Sequence, residues 1–361
     1  MEIKSYTRTE LKTFIDSGFF KNLEKIPISY QRAVSHLQNP DVEDDDELLW
    51  AAYQNEQLVG YVGVLPNYIV ENQERKRVHW LSCFWVDENF RKENVASLLF
   101  FLLIKKYGKH LILSNFLPNL EKMYQSLGLF QPTLNKIGSQ FFCKSCLHDI
   151  LPARFPKIRF LKPVLRLLDF SANLLLSIRK LFCKPLIINS KVITGAIFDA
   201  EFQSFLLSFY QDKNYVMRYA EHFDWIITYP WVLQGKQDEE SKRYYFSSKS
   251  KQFCYDSVKF YKNNELKAYL LLKIRDRKLT VSYVFADEEM LNDVAAYILQ
   301  KVNHENLIMI TSFDTRISNK IRGHRIQYIF ERFIKRAYIL PKMLVITPEF
   351  FQEGDGDNVF T

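Results

Sequence analysis

The run from Val86 to Leu99 constrains what this chain can fold into more than any other stretch. Ahead of it, Val78 to Trp85 is rich in β-branched and aromatic residues, the composition of a half-buried strand. From Val95 onward the chain turns to helix formers, Ala96-Ser97-Leu98-Leu99-Phe100-Phe101-Leu102-Leu103-Ile104. These end in Lys105-Lys106 and Gly108, a helix-stop pattern. A strand that feeds a helix through Phe90-Arg91-Lys92-Glu93-Asn94 builds an anion site. The free N–H groups of the first helical turn, the positive end of the helix dipole, Arg91 and Lys92 all face one spot.

The segments that follow fit a larger pattern. A short strand is expected at His110 to Ser114, then a helix over Leu120 to Phe130 that carries Tyr124-x-x-x-Gly128. Arg91-x-x-Asn94-x-Ala96 resembles the R/Q-x-x-G-x-G/A loop of the GNAT superfamily of N-acyltransferases, and Tyr124 to Phe130 resembles that family's Y-x-x-x-G-F helix end. Asn94 stands at the first glycine of the loop, Leu129 is one residue extra before Phe130, and Leu117 replaces an asparagine that the family carries seven residues before the tyrosine. Asparagine is the non-glycine residue that best tolerates a left-handed backbone, so Asn94 is expected to keep the turn.

A chain of 361 residues is long for one core, and two domains are expected. Hydrophobic content of 47% argues against disorder. Met1 to Phe20 is broken by Lys4, Arg8, Glu10, Lys12 and Asp16, which is no signal peptide, and cytoplasm is the expected compartment. The cysteines, Cys83, Cys143, Cys146, Cys183 and Cys254, are odd in number and scattered, unlike a disulfide framework. Cys143-Lys144-Ser145-Cys146 with His148 has ligand-like spacing but no second Cys or His pair, so no metal is expected.

Most of the net charge of +8 sits between Arg154 and Lys184, where Lys and Arg face one acid, Asp169. Apolar clusters there, such as Phe160-Leu161 and Leu174-Leu175-Leu176, suit amphipathic helices broken near Pro163. Arg166 and Asp169 exclude a transmembrane span. Three readings stand for residues 154–184: a connector packed on its neighbours, weak contact with a membrane surface, and an acidic partner or nucleic acid. Repeated aromatic platforms for nucleic acid are missing, so the charge by itself is weak support for a nucleic-acid partner.

On either side of this stretch the element order repeats. Leu48–Tyr53 and Leu58–Val64 read as a hairpin followed by the strand near His79; Ser257–Tyr261 and Leu266–Leu272 read as a second hairpin, followed by a strand over Lys278–Phe285 and a helix over Met290–Val302. The resemblance thus implies an α/β (α+β) fold with two GNAT-like domains in tandem, each a mixed, mostly antiparallel twisted sheet flanked by helices. The expected division is 1–148, a basic helical connector at 149–190, and 191–361. Where the first copy has its basic turn the second has Ala286-Asp287-Glu288-Glu289, whose carboxylates would repel a pyrophosphate, so only the first is expected to bind coenzyme.

The resemblance implies an N-acyltransferase that moves an acyl group, an acetyl group in the first instance, from acetyl-coenzyme A directly to a primary amine on a small molecule or peptide. Backbone N–H groups of Phe84, Trp85 and Val86 would face the thioester carbonyl. Arg91 and Lys92 and the amides of Asn94, Val95, Ala96 and Ser97 would hold the phosphates, with Tyr124 as general acid. His79, or Glu47 or Asp46 through water, is the candidate base. Two other readings stay open: a Fem-type aminoacyl transferase using aminoacyl-tRNA, and a catalytically silent GNAT-like binding protein. No G-x-S-x-G, P-loop or H-E-x-x-H motif supports a hydrolase or nucleotide-phosphatase. The aromatic run Arg218 to Trp231 is read as an acceptor pocket or as core, and Gly354-Asp355-Gly356-Asp357 as a solvated turn.

Overall fold

The computed structural model describes residues 1–116, 121–182, 185–195, 197–211 and 213–361. Leu117, Leu120, Cys183 and Lys184, named above, lie outside them. The chain begins β1 (Glu2–Thr7), α1 (Arg8–Asp16), α2 (Gly18–Asn22), α3 (Tyr30–Leu37), β2 (Glu47–Gln54), β3 (Gln57–Glu71), β4 (Glu74–Val86), α4 (Val95–Tyr107), β5 (Leu111–Ser114) and α5 (Glu121–Ser126). It continues with β6 (Leu134–Phe142), α6 (Leu147–Arg154), α7 (Lys162–Leu181), β7 (Lys191–Thr194), α8 (Ala200–Tyr210), β8 (Tyr215–Val216), α9 (Ala220–Thr228), β9 (Leu233–Gln234), α10 (Glu239–Arg243) and β10 (Lys249–Ser250). β11 (Phe253–Lys262), β12 (Glu265–Arg275), β13 (Lys278–Ala286), α11 (Leu291–His304), β14 (Met309–Ser312), α12 (Thr315–Arg322) and β15 (Phe330–Ile339) follow.

These elements form two compact units that interleave along the chain. One comprises Met1–Lys136, Ile197–Phe253 and Arg336–Thr361; the other comprises Ile137–Ala196 and Cys254–Lys335. Hydrophobic periodicity tells which residues are buried but not which distant segment buries them. A linear reading of 1–148, 149–190 and 191–361 therefore draws its lines elsewhere.

In the first unit β1 to β4 pair antiparallel in sequence order, β5 joins β4 in parallel, and Tyr338 and Ile339 of β15 pair antiparallel with Ser114 and Leu113. The hairpins close on two-residue turns with positive φ at both positions, Asn55-Glu56 between β2 and β3 and Asn72-Gln73 between β3 and β4. Such turns match the right-handed twist of the strands, and asparagine opens both. β3 is the central strand and is buried along most of its length, because helices cover both faces of the sheet. Tyr61 and Trp85 pack with α1 and α3 residues such as Leu11, Phe14 and Ala33 on one face. Val59, Val62 and Val64 pack with Val95, Leu99 and Leu103 of α4 on the other.

The second unit orders its strands β6-β14-β13-β12-β11-β7, with β13 and β14 parallel and the β6–β14, β12–β13 and β7–β11 pairs antiparallel. Asn263-Asn264 and Asp276-Arg277 make the same kind of turn. Val294, Ile298 and Val302 of α11 and Ile317 and Ile321 of α12 bury against Leu270, Leu272 and Ile310. Cys143 sits inside this apolar cluster, while the Nδ1 of His148 lies 2.6 Å from an Asp169 carboxylate oxygen. Among the described residues no group of three or more His, Cys, Asp or Glu side chains is placed to hold a metal.

Two glycines of β3 let side chains approach the sheet from opposite faces. A Cβ on Gly60 would lie 2.8 Å from Val95 Cγ1, and one on Gly63 would lie 2.6 Å from an Arg32 guanidinium nitrogen. Replacing Gly60 by Ala therefore pushes on the first residue of α4 and is expected to cost about 1–3 kcal/mol, read as a lower urea midpoint at unchanged m-value. A midpoint equal to that of the parent protein would show that α4 does not seat against β3 at this residue.

Candidate active site

The candidate site lies where β4 stops being an ordinary strand. Up to Ser82 its register with β3 is regular, with Gly63 opposite Ser82, and beyond the irregularity Tyr61 lies opposite Trp85. Cys83 and Phe84 thus stand against the single residue Val62, a β-bulge. Cys83 carries the distortion with φ +51, in the left-handed region that a side chain with a Cβ rarely adopts. On the other edge β4 pairs with β5 only at His79 and Trp80. From Leu81 to Val86 the strands part, leaving that edge of β4 without a strand partner among the described residues.

The basic turn fills the end of this opening. A short 3-10 turn over Glu88–Glu93 starts on Asp87, whose carboxylate accepts the Asn89 N–H at 3.0 Å and pairs with Lys25. Asn94 then takes φ +59 and ψ +21, the left-handed conformation expected from its chemistry, and α4 starts at Val95. Among the described residues no side chain caps α4, so the amides of its first turn, which includes Ala96 and Ser97, are left to a ligand or solvent. Lys92 is exposed, and Arg91 is exposed while paired with Glu88 at 3.0 Å. An uncapped helix end entered through a left-handed residue, with two cations in the preceding turn, fits a pyrophosphate.

Tyr124 on α5 is buried against Phe100 of α4, ring centroids 4.7 Å apart, and Phe116 packs edge-on to it. Burial pushes its phenol up to about 12, so it stays protonated near neutral pH and able to donate. His79 is placed differently. It sits on the part of β4 still paired with β5, its Nε2 3.7 Å from Asp46 and its ring 4.2 Å from Tyr107, and its Nδ1 has no hydrogen-bond partner among the described residues. Asp46 is taken by Arg77 and by the Glu43 N–H, and Glu47 accepts from Ser5 at 3.2 Å. All three candidate bases are thus tied into a polar network between β2, β4 and α4.

Sequence reasoning missed a second group of residues, drawn from four separate segments. Arg32 of α3 is buried over Gly63 and donates from Nη2 to Ser82 Oγ at 2.9 Å, from Nη1 to the Tyr244 hydroxyl, and from Nε to His36 at 3.3 Å. Ser82 in turn donates to Asp357 at 2.5 Å, and the Cys83 thiol lies against Tyr244, pushed up chiefly by burial. The Arg32 guanidinium stacks 4.2 Å over Trp231, which lies flat on Phe360. Buried charges and hydroxyls pinning a left-handed strand residue are the mark of a built site. Nothing in a linear pattern brings residues 32, 82, 244 and 357 together.

The final residues are correspondingly not a solvated turn. Asp355 and Asn358 are buried, and Gly356, at φ +69, presses so close on Trp80 that a Cβ would come within 2.6 Å of the indole. Their polarity misled because their neighbours come from distant segments: Asn115, just past β5, donates to Asn358 at 2.7 Å, and Trp80 of β4 lies against Gly356. In the run Arg218 to Trp231, Phe223, Trp225 and Trp231 are core, and the His222 ring meets Asp41 at 3.1 Å. Near the bulge the rings of Tyr61, Trp85, Tyr244, Tyr245 and Phe246 gather on the face away from α4.

A mixed sheet with a bulged fourth strand, a parting fifth strand and a helix entered through a basic turn is a GNAT-type fold. Residues 16–129 match the Acetyltransferase (GNAT) family. Among solved structures, a GCN5-related N-acetyltransferase from Anabaena variabilis aligns over 94% of this chain and 71% of its own, with a TM-score of 0.52 at 8% identity. A conserved Enterococcus faecalis protein described as a probable N-acyltransferase aligns over 93% and 71%, with a TM-score of 0.52 at 9% identity. Comparison with curated protein sequences gave no match.

Two predictions follow from the bulge and its surroundings. Cys83→Gly relieves the left-handed backbone and is expected to keep or slightly raise stability, whereas Cys83→Val, β-branched at the same φ, should lower it by about 1–2 kcal/mol. Equal melting temperatures for the two variants would contradict the bulge geometry. His36 and His79 are both held below the ordinary histidine value, mainly by burial, with Arg32 adding to the effect at His36. The unfolded chain takes up these protons near pH ~6.5 and the folded protein does not. The stability that these two histidines contribute is therefore complete above that pH and is lost as the pH falls below it, which urea midpoints measured above and below pH ~6.5 will show.

Proposed function

We propose that the first unit is an acyl-coenzyme A dependent N-acyltransferase, acetyl-coenzyme A being the first donor to test, and that it transfers directly to a primary amine. The observation that carries this reading is the uncapped start of α4 at left-handed Asn94, set at the end of the β4–β5 opening. Val95, Ala96 and Ser97 amides with Arg91 and Lys92 bind the pyrophosphate. The free edge of β4 from Phe84 to Val86 receives the pantetheine and turns N–H groups toward the thioester carbonyl, where negative charge develops.

Tyr124, kept protonated by burial, returns a proton to the departing thiolate. The amine enters from the aromatic face formed by Trp85, Tyr61 and Tyr245, where an ammonium group is attracted before it loses its proton. His79, neutral near pH 7, remains the proposed proton acceptor, reached through water. The second unit repeats the element order with Asp287, Glu288 and Glu289 where the cations would be, so we assign the coenzyme to the first unit alone and read the pair as tandem GNAT-like domains working in the cytoplasm.

At about a hundred times its dissociation constant, a ligand selective for the folded state adds about 2.7 kcal/mol, which raises the melting temperature by a few degrees for a chain of this length. Acetyl-coenzyme A is expected to give such a shift, Arg91→Glu and Asn94→Glu to abolish it, and Tyr124→Phe to keep it while lowering turnover with a responsive amine about a hundredfold or more. An unchanged melting temperature with acetyl-coenzyme A in the parent protein would overturn this reading and favour aminoacyl-tRNA as donor or a silent binding protein.

A further inference from the structure

The hairpin of α6 and α7 in the second unit is amphipathic in the wrong sense for a core. Its polar groups point inward: the Asp169 carboxylate accepts from Ser145 Oγ at 2.5 Å and from the N–H groups of Leu147 and His148 at 2.8 and 2.9 Å, and Asn173 exchanges hydrogen bonds with Ser145. Only Leu165 and Leu176 bury apolar side chains from α7 alongside them. Outward it turns Val164, Leu167, Phe170, Leu174, Leu175 and Ile178, of which Leu167, Phe170 and Leu175 are 66%, 65% and 67% exposed. At 100° per residue these fall on one arc of roughly 140°. The expectation that the apolar clusters of this stretch pack on folded neighbours does not hold for them.

Charge decides what covers this face. Arg154, Lys157, Arg159 and Arg166 are exposed at its edges and on the turn leading into it, and the acid of α7, Asp169, is turned inside. Two copies meeting through the same face would bring these cations against their equivalents, which opposes self-association. No helix among the described residues is long and apolar enough to cross a membrane. An apolar arc rimmed by Lys and Arg, with aromatic Phe155 and Phe160 exposed beside it, has the chemistry of a helix lying in the plane of an anionic lipid surface. There the leucines enter the acyl boundary and the long basic side chains reach the phosphates.

We propose that residues 154–182 dock this protein on anionic lipid bilayers as an in-plane amphipathic helix. The test is co-sedimentation of the full chain with vesicles of phosphatidylcholine containing phosphatidylglycerol, against vesicles of phosphatidylcholine alone. Binding to the anionic vesicles is expected to weaken steeply with salt and on neutral vesicles. Leu167→Asp with Leu175→Asp should weaken it by about a hundredfold, and Arg159→Glu with Arg166→Glu by about tenfold, with circular dichroism unchanged because these side chains are exposed. Should the leucine pair unfold the protein, the arginine pair carries the test alone. Absence of binding to anionic vesicles overturns the proposal, whether gel filtration then shows a dimer that the aspartates dissociate or a monomer whose face awaits an acidic protein. Equal binding to both vesicle types overturns it as well.

Discussion

The buried Arg32 guanidinium is the contact on which the candidate site depends. It reaches across Gly63 to Ser82, touches Tyr244 beside the Cys83 thiol, and is balanced through Ser82 by Asp357. An unpaired charge at this depth would be costly to bury, so each of these partners is required once the arginine is there. Together they hold Cys83 left-handed, which bends β4 away from β5 after Trp80. The opening between the strands is thus a by-product of a bulge, and the bulge is fixed by a network on the opposite face of the sheet from α4.

Both faces of β3 are tuned to this arrangement. On one side Gly63 makes room for the guanidinium; on the other Gly60 lets Val95 seat against the strand, which sets the height at which the amides of α4 begin. The glycines cost β-propensity in the most buried strand of the unit. That cost is repaid in placement: a helix start and a strand edge, which would otherwise be held apart by side chains, meet at one opening.

Local pattern made much of this visible in the sequence. The change of period after Val86, the helix stop at Gly108 and the Asn-led turns each depend on neighbours in the chain, and α4, β5 and the hairpins lie where those signals put them. Asn94 was legible for the same reason, since its backbone preference is its own. Arg32, Cys83, Tyr244 and Asp357 were not legible, because their meaning comes from contacts across hundreds of residues. The tail at Gly354–Asp357 looks hydrated only until β4 and β5 are brought to it. The basic stretch was legible in composition and not in direction: helical spacing alone does not say which side of α7 the hydrogen bonds of Ser145 and His148 will claim.

The placement of residues 336–361 in the first unit bears on how the protein is made. Tyr338 and Ile339 cover the edge of β5, and Asp357 completes the balance around Arg32, yet these residues leave the ribosome after the whole of the second unit. Until then the nascent first unit exposes an unpaired strand edge and an uncompensated cation, the features that attract premature pairing and chaperones. The second unit has all its segments once Lys335 is made. Synthesis therefore favours an order in which the first unit waits for residues 336–361, and the network around Arg32 is complete only once they are made.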